Sequence, residues 1–454
     1  MKSTVLGYGS LVAGFALLLN FALPAISQTR AAGKKASSQD CPACPIALKG
    51  GKLLTITHGA IEKGTIVMSG RKIAAIGPAA SVTIPKDARV IDATGMTVYP
   101  GLIDSETNLG LVEISAEDST KDTGEPSDEI VPQLHVYDAF HAESELIPVS
   151  RLNGITNAIV APDNTDTLPG QDAFIQLDGG SADDMLLVRD LALPLNFTGD
   201  QRRNQSGEKR KFPSTRMGMA AQIRQALLDT QHYRDEWAGY EKKKASPSAD
   251  KDKTPTQPKR DLKFEALLPY LEGKKTIVLA AEQASDLEAA VNLAREFNLK
   301  FVLNHISHSQ PVLDYVASLK VPVIVGPIYE EPKPDERYDA VYSLPAQLYQ
   351  RGVQIAFASY SAHDVRNLPY QAGFATAFGL PYEEALKAIT LNPAQIWGVA
   401  DRLGSLDVGK DANIVVANGD PLDLKTEVKQ VFIQGHEVPM SDRQTRLRDQ
   451  YSGR

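Results

Sequence analysis

The apolar positions along the chain fall into three regions with different spacing. From Ile46 to Val98, short β-type runs alternate with glycine, a pattern typical of an antiparallel sheet. The same kind of pattern returns after Gly404 and continues to Val438. Because the two β-rich regions flank a long middle region of different character, we expect one composite β-sandwich built from residues 46–98 and 404–440.

The middle region, residues 99–403, alternates short apolar runs with longer helical stretches. The predicted strands include ITNAIVAP, QDAFIQL, TIVLAAE, KFVLNHI, VPVIVGP and VQIAFASY. Asp286 is well placed as an early helical acid, and Asn298 as the end of the same helix. Apolar runs separated by helices indicate a parallel sheet, and this many repeats favour a closed (β/α)8 TIM barrel. The predicted fold class is therefore α/β.

Two segments depart from this alternation. Residues 241–260 (EKKKASPSADKDKTPTQPKR) are dominated by Lys, Asp, Pro and Ser with no apolar period. We interpret them as a solvated, mobile insertion between two barrel helices; the alternative is a functional basic patch. Residues 441–454 form a charged tail, either a short exposed helix or a frayed end.

The N-terminus has the features of a secretory signal. Lys2 precedes an apolar run from Leu11 to Leu23, and small residues follow, so we expect cleavage after Ser27. An uncleaved anchor is the alternative, but the run is short for a bilayer span. Residues 28–45 form a tail that carries Cys41 and Cys44, which are either a local disulfide or two free thiols. We expect a periplasmic or extracellular protein with no membrane contact after cleavage.

Composition adds one exclusion to this picture. The chain has a net charge of -8 and a pI near 5.6. This sign of charge argues against nucleic acid or an anionic membrane as the main partner. It leaves small-molecule and protein partners open.

Three motifs resemble the amidohydrolase superfamily, with the imidazolonepropionase-type branch nearest. The first is Tyr99-Pro100-Gly101-Leu102-Ile103-Asp104, the second is residues 385–398 (ALKAITLNPAQIWG), and the third is residues 404–416 (GSLDVGKDANIVV). The resemblance implies a barrel enzyme that hydrolyses carbon–nitrogen bonds other than peptide bonds. It also implies a divalent metal ion held at the C-terminal ends of the strands, with a strand-8 aspartate handling the proton of metal-bound water.

The positions that carry this chemistry in the family are mostly substituted here. Glu106 and Asn108 replace the two strand-1 histidines, and Gln176 takes the place of a bridging lysine. Glu282 stands where a strand-5 histidine is expected, and Tyr360 replaces the strand-8 aspartate. Only His305, on strand 6, keeps the expected type. The resemblance therefore implies a degenerate metal site and no cofactor.

Two other arrangements remain open at this point. Glu106, Glu282 and His305, with His363 or Asp364, offer ligands for Zn, Fe or Mn in a rearranged site. Ser359 or Ser361 with His363 offers a nucleophile and a base, although no acid is placed to orient the imidazole.

The sequence predicts an exported amidohydrolase-family protein with weak or no family activity. Its pocket at the barrel mouth would be lined by Glu106, Asn108, Gln176, Glu282, His305 and Tyr360. The alternative function is non-catalytic: binding of a small polar ligand, or association as a subunit with an active amidohydrolase paralogue. A homo-oligomer is a further expected partner state.

Overall fold

The structure, a computed structural model, describes residues 44–197, 212–213, 215–245 and 255–452. The predicted signal peptide at 1–27 and Cys41 lie outside these residues. Cys44 is described and takes part in a disulfide bond. Among the described residues, no helix is both long enough and apolar enough to cross a membrane.

The strands of the described chain are longest in its N-terminal part and short in the barrel. In chain order they are β1 (Ile46–Leu54), β2 (Ala60–Ser69), β3 (Lys72–Pro78), β4 (Arg89–Asp92), β5 (Thr97–Pro100), β6 (Leu102–Thr107), β7 (Ile155–Val160), β8 (Ala173–Gln176), β9 (Leu186–Val188), β10 (Ala192–Asn196), β11 (Thr276–Ala280), β12 (Phe301–Asn304), β13 (Val323–Val325), β14 (Ile355–Phe357), β15 (Ile414–Ala417), β16 (Val428–Ile433) and β17 (His436–Glu437).

The helices of the same residues are mostly short. They are α1 (Val136–Ala139), α2 (Leu146–Arg151), α3 (Ala182–Met185), α4 (Arg216–Ala245), α5 (Leu262–Leu271), α6 (Ala284–Glu296), α7 (Leu313–Leu319), α8 (Ala340–Gln350), α9 (Leu368–Ala377), α10 (Tyr382–Ala388), α11 (Leu391–Ile396) and α12 (Arg443–Tyr451). Three 3-10 turns occupy Asp118–Thr120, Gln310–Val312 and Val365–Asn367.

Strands from both ends of the chain form one continuous eight-stranded sheet. β5, which leads into the barrel, pairs antiparallel with β15, so that Val98 lies opposite Val416. β1 joins β5 to the β2–β3 hairpin. The core of this sheet is apolar and includes Leu48, Ile66, Met68, Val98, Ile414 and Phe432. The apolar positions of the two β-rich regions thus share one core, although the strands belong to one sheet rather than two.

The barrel strands fall into two hydrogen-bonded groups. β10 to β14 pair in chain order and are all parallel, and β6 pairs parallel with β7. β8, however, runs antiparallel to β7, which corrects the expectation of an all-parallel barrel. The described connection between Val160 and Ala173 contains no helix, and a parallel crossover usually requires one. The chain therefore turns back directly.

Eight strands nevertheless surround one interior core, as the predicted α/β barrel class requires. Backbone hydrogen bonds connect the two groups: Asp172 N donates to Ala192 O at 3.0 Å, Leu191 N donates to Asp172 O at 2.9 Å, and Tyr360 N donates to Glu106 O at 3.0 Å. The shared interior layer takes one side chain from each strand or its end: Ile103, Ile159, Phe174, Ala192, Val278, Val302, Ile324 and Ala358. Packed layers of this kind fill a barrel and leave function to its rim.

The outer helices pack by an apolar stripe, as α6 illustrates. Its buried positions include Leu287, Ala290, Val291 and Ala294, a spacing of three and four residues that places them on one helix face. They share a core with the outward-facing residues of β11. Asn298, two residues past the helix, has a φ of 53°, a left-handed conformation in which asparagine commonly ends helices.

The two polar segments are partly helical. Residues 241–245, expected in the mobile insertion, are the last residues of α4, so that part of the prediction is wrong. Lysines at the C-terminal end of a helix interact favourably with its dipole, which explains the extension. Residues 246–254 lie outside the described chain. In the C-terminal tail, α12 begins with a capping box formed by Asp442 and Thr445.

Gly101 explains why the barrel-opening motif contains glycine. A Cβ atom at this position would lie 2.1 Å from Thr156 Oγ1 and 2.4 Å from Thr156 Cγ2. Thr156 is on the neighbouring strand β7 and is fully buried. The side chain of Thr156 therefore has no free volume into which it can move, and only glycine fits beside it.

We predict that Gly101→Ala lowers the free energy of unfolding by about 1–3 kcal/mol, since overpacking in a filled core forces backbone shifts. Gly239→Ala is the matched control: Gly239 lies in α4, and an added Cβ there meets nothing within 4 Å. This control should raise stability by about 0.5–1 kcal/mol. Urea denaturation of both variants measures the difference, and equal stabilities would refute the packing role of Gly101.

Candidate functional site

The Glu106 carboxylate is the centre of the barrel mouth. Its Oε2 accepts a hydrogen bond from Asn304 Nδ2, and its Oε1 lies 3.2 Å from His305 Nε2. A carboxylate can only accept, so the second contact requires the proton of His305 to be on Nε2. The side chains of Glu106 and His305 are 12% and 16% exposed, which shields their interaction from solvent. β6 and the end of β12 bring these residues together.

Tyr360 completes the network from the end of the eighth barrel strand. Its hydroxyl donates to Asn304 Oδ1, and its ring packs on the His305 ring with centroids 4.2 Å apart and planes tilted by 38°. Burial raises the pKa of Tyr360 above its usual value, so the phenol remains a neutral donor. Asn304 is thereby fixed in one orientation, with its oxygen toward Tyr360 and its amide toward Glu106.

Two residues of this network have strained backbones. His305 has a φ of 54° and Tyr360 a φ of 55°, both in the left-handed region. Such a conformation costs about 1–3 kcal/mol for a non-glycine residue and is retained where the surroundings enforce it. The strain turns both rings toward each other at the point where their strands end.

Asp104 and Ser359 link the first and eighth barrel strands below the network. Asp104 Oδ1 accepts from Ser359 N at 3.0 Å and from Glu106 N at 3.2 Å. Asp104 Oδ2 has no hydrogen-bond partner in the described structure. Burial raises the pKa of Asp104 to about 7, and the nearby Glu106 adds to this effect.

Asp172, which the sequence analysis did not select, lies inside the barrel. It is 1% exposed, and neither carboxyl oxygen has a partner among the described residues. Burial, and then the neighbouring Glu106, raises the pKa of Asp172 well above its usual value. Asp172 comes two residues before the interior residue Phe174, and side chains two apart on a strand share a face. The sequence alone could therefore have placed Asp172 on the same strand face as Phe174.

Gln176 is not in the barrel mouth, contrary to expectation. β8 runs antiparallel to β7, so its last residue, Gln176, lies opposite Asn157 near the start of β7. Gln176 Nε2 donates there to Asp178 O and Asp184 O. The prediction assumed a parallel strand, whose C-terminal end would have been at the mouth.

The remaining predicted residues lie around the mouth without joining the network. Asn108 follows β6, and its Nδ2 donates to Ala161 O at 3.0 Å, just after β7. Glu282 follows β11 and lies close enough to Glu330 to raise the pKa of that residue. No hydrogen bond connects Glu282 to Glu106 or His305 in the described chain.

Among the described residues, no three His, Cys, Asp or Glu side chains are placed to hold one metal ion. Glu106 already uses both oxygens within the network.

A serine nucleophile receives no support either. Ser359 Oγ donates to Ser361 O at 3.2 Å, while His363 Nε2 faces Ser115 Oγ at 3.4 Å.

Sequence comparison identifies relatives over most of the chain. The model of the amidohydrolase family matches residues 287–438. Amidohydrolase tasK from Hapsidospora irregularis is 26% identical over 396 residues, covering 83% of this chain and 39% of that protein. N-acetylglucosamine-6-phosphate deacetylase from Bos taurus is 42% identical over 65 residues, 14% of this chain and 15% of that enzyme. The chain thus spans less than half the length of these relatives.

Solved structures give the same result for the fold. An amidohydrolase from Thermotoga maritima MSB8 superimposes with a TM-score of 0.77 at 28% identity, covering 87% of this chain and 99% of that one. A putative prolidase from Bifidobacterium longum has a TM-score of 0.52 at 18% identity, covering 87% and 95%, and supports the fold alone. With the barrel, the composite sheet and the three sequence motifs, these matches establish that the chain belongs to the amidohydrolase superfamily.

Proposed function

We propose that this chain is an exported amidohydrolase-family protein that binds a small polar ligand at its barrel mouth without metal-dependent hydrolysis. By family and fold it is a hydrolase of the amidohydrolase type. Under this proposal, the chain no longer catalyses the reaction of the family, the cleavage of carbon–nitrogen bonds other than peptide bonds.

The network around Glu106 is the observation that supports this proposal most directly. Glu106, His305 and Tyr360 stand at three positions where the family keeps metal ligands and its proton-handling aspartate. Here each is satisfied by another protein group: the carboxylate by Asn304 and His305, and the phenol by Asn304. An ion entering this position would have to displace those hydrogen bonds and deprotonate or move Tyr360, whose raised pKa opposes deprotonation.

The network around Glu106 also supports a second candidate function, because its side chains are bonded to one another at positions where the family keeps its catalytic groups. We propose as the second candidate that this chain associates with a separate, active amidohydrolase paralogue. Size-exclusion chromatography with light scattering, alone and with such a paralogue, distinguishes a heterocomplex from a homo-oligomer.

Export is supported by the sequence of residues 1–27 and by Cys44. Disulfides form and persist in oxidising compartments, and Cys44 is disulfide-bonded. We therefore propose a periplasmic or extracellular location.

Purified without chelator, the protein should contain well under one equivalent of zinc, iron or manganese and hydrolyse cyclic amides at the background rate. Glu106→His with Asn108→His should not restore turnover, because Tyr360 still stands in place of the aspartate that handles the proton. Elemental analysis measures the metal content, and product detection measures the rate of hydrolysis. Stoichiometric metal with chelator-sensitive hydrolysis would contradict the proposal, and Glu106, Glu282 and His305 would then be the first ligands to substitute.

The buried carboxyl group of Asp104 provides a pH test of the same proposal. Its pKa is raised from 3.8 to about 7, so the folded protein binds a proton that the unfolded chain has already released. The free energy of unfolding should therefore fall as the pH rises from about 4 to about 7. Asp104→Asn keeps the acceptor oxygen for Ser359 and should make this slope shallower.

Urea titrations of wild type and Asp104→Asn across this range measure the slope. A bound metal ion would hold the mouth carboxylates deprotonated and remove the dependence. An identical slope in both proteins would therefore contradict the assignment of a neutral Asp104 at acidic pH.

A further inference from the structure

A cavity of about 570 Å³ lies between the composite sheet and the barrel. Its walls come from the turn between β1 and β2, the start of β5, helix α10 and the loop after β15. Thr97 begins β5, whereas Glu106 lies near the end of β6, so the length of two consecutive strands separates this cavity from the barrel mouth. Its volume is in the range of small-molecule sites.

The alternation of side chains along β1 forms the sheet side of the cavity. Leu53 belongs to the apolar core of the sheet, so Lys52 and Leu54 on either side of it point to the opposite face. Leu54 is paired with Ala60, the first residue of β2, and Lys52 is paired with Thr97. All four of these outward residues line the cavity.

Helix α10 and the loop after β15 form the barrel side. Tyr382 and Leu386 line the cavity four residues apart on α10, a spacing that places them on one helix face. The Tyr382 hydroxyl donates to Asp420 Oδ1 at 3.0 Å. Burial, and then the Asp420 charge, raises the pKa of Tyr382 above its usual value, so the phenol stays a neutral donor. This hydrogen bond joins the helix to the loop and fixes these two walls relative to each other.

The turn between β1 and β2 holds Ile56 at the cavity in a strained conformation. Its φ is 73°, a left-handed value that is rare for a β-branched residue. The Thr55 hydroxyl fixes the turn, because it donates to Gly59 O at 2.7 Å and accepts from His58 N at 2.9 Å. Strained residues of this kind are retained where the surroundings enforce them, and they cluster at sites that hold ligands. The half-buried Ile56 side chain thus forms part of the cavity wall.

The unpaired charges at the rim of this apolar cavity are negative. The Lys52 ammonium group is paired with Glu62 at 3.3 Å. Glu383 is exposed and pairs with no basic group among the described residues. Asp420 also lacks a basic partner in this part of the chain, and its Oδ1 accepts only from neutral groups. Two carboxylates without a cation therefore border walls formed by Leu, Ile, Ala and Pro side chains.

From these contacts we propose that the cavity binds a small hydrophobic cation, such as an arylalkylamine, with its apolar group between Ile56 and Leu386 and its ammonium group at Glu383 and Asp420. An anion of the same shape would be repelled by both carboxylates, and a ligand without an apolar group would leave the apolar walls in contact with water. Binding here is independent of the barrel mouth, so this site and the proposed function can fail separately.

Titration of three matched compounds, followed by NMR, tests the charge that the cavity selects. 2-Phenylethylamine carries the cation, 2-phenylethanol replaces it with a neutral hydroxyl group, and 3-phenylpropanoate replaces it with an anion. We expect 2-phenylethylamine to bind most tightly. The alcohol should bind about tenfold more weakly, because two partly exposed ion pairs are lost, and the anion should bind more weakly still.

Two substitutions assign the cation to its carboxylates. Glu383→Gln and Asp420→Asn should each weaken 2-phenylethylamine about two- to fivefold and leave 2-phenylethanol unaffected, since that compound has no charge to lose. Asparagine at position 420 keeps an acceptor oxygen for Tyr382, so the wall stays in place. The matched control is Glu288→Gln, an exposed glutamate on α6 outside the cavity, which should bind like wild type.

A third substitution locates the site. Ala60 is exposed at the start of β2, so the ring of Ala60→Trp can enter the cavity without displacing a packed side chain. Binding of all three compounds should then be lost. Ala74→Trp is the matched control, because Ala74 is an exposed strand residue of β3 outside the cavity. Thermal denaturation of both variants shows whether they remain folded.

Three results would overturn the proposal: no binding of 2-phenylethylamine up to about 10 mM, equal affinities for the three compounds, or unchanged binding in folded Ala60→Trp. The last result would place the compound elsewhere on the protein. If Ala60→Trp does not fold, unchanged affinity in both Glu383→Gln and Asp420→Asn contradicts the proposal in its place.

Discussion

The buried carboxylate of Glu106 is the constraint on which the barrel mouth depends. Within the described chain no lysine or arginine pairs with it, and its two oxygens rely on Asn304 and His305. An unpaired charge in such a place would cost several kcal/mol. Tyr360 orients Asn304, and the left-handed backbones at His305 and Tyr360 bring the rings into contact. The strain at these two residues is offset by the hydrogen bonds that it makes possible.

The Glu106 carboxylate also affects the pKa values of the neighbouring acids. Asp104 and Asp172 are buried beside Glu106 without a cation, and their pKa values are raised by burial first and by Glu106 next. Near neutrality they cannot all be ionised together at low cost. The mouth thus holds one carboxylate whose two oxygens are taken by Asn304 and His305, whereas a metal centre of the family requires several ligands around one cation.

The sequence predicted the scaffold better than the site, for identifiable reasons. Alternation of apolar runs defines strands and helices locally, and the Pro100-Gly101 motif is fixed by contact with Thr156. Both features depend on packing, so they remain when the residues at the catalytic positions are substituted. Gln176 was misplaced because strand direction depends on the connection, and a helix-free connection after Val160 allowed an antiparallel return. Asp172 and Asn304 were missed because neither stands at a ligand position of the family. Only the structure brings them beside Glu106.

Anomalous diffraction from crystals soaked in zinc, recorded at the zinc absorption edge, tests the account most directly. We expect Glu106 to remain hydrogen-bonded to Asn304 and His305, with no anomalous peak among these side chains. A peak about 2.0–2.2 Å from a Glu106 oxygen and His305 Nε2, with Tyr360 displaced, would contradict it.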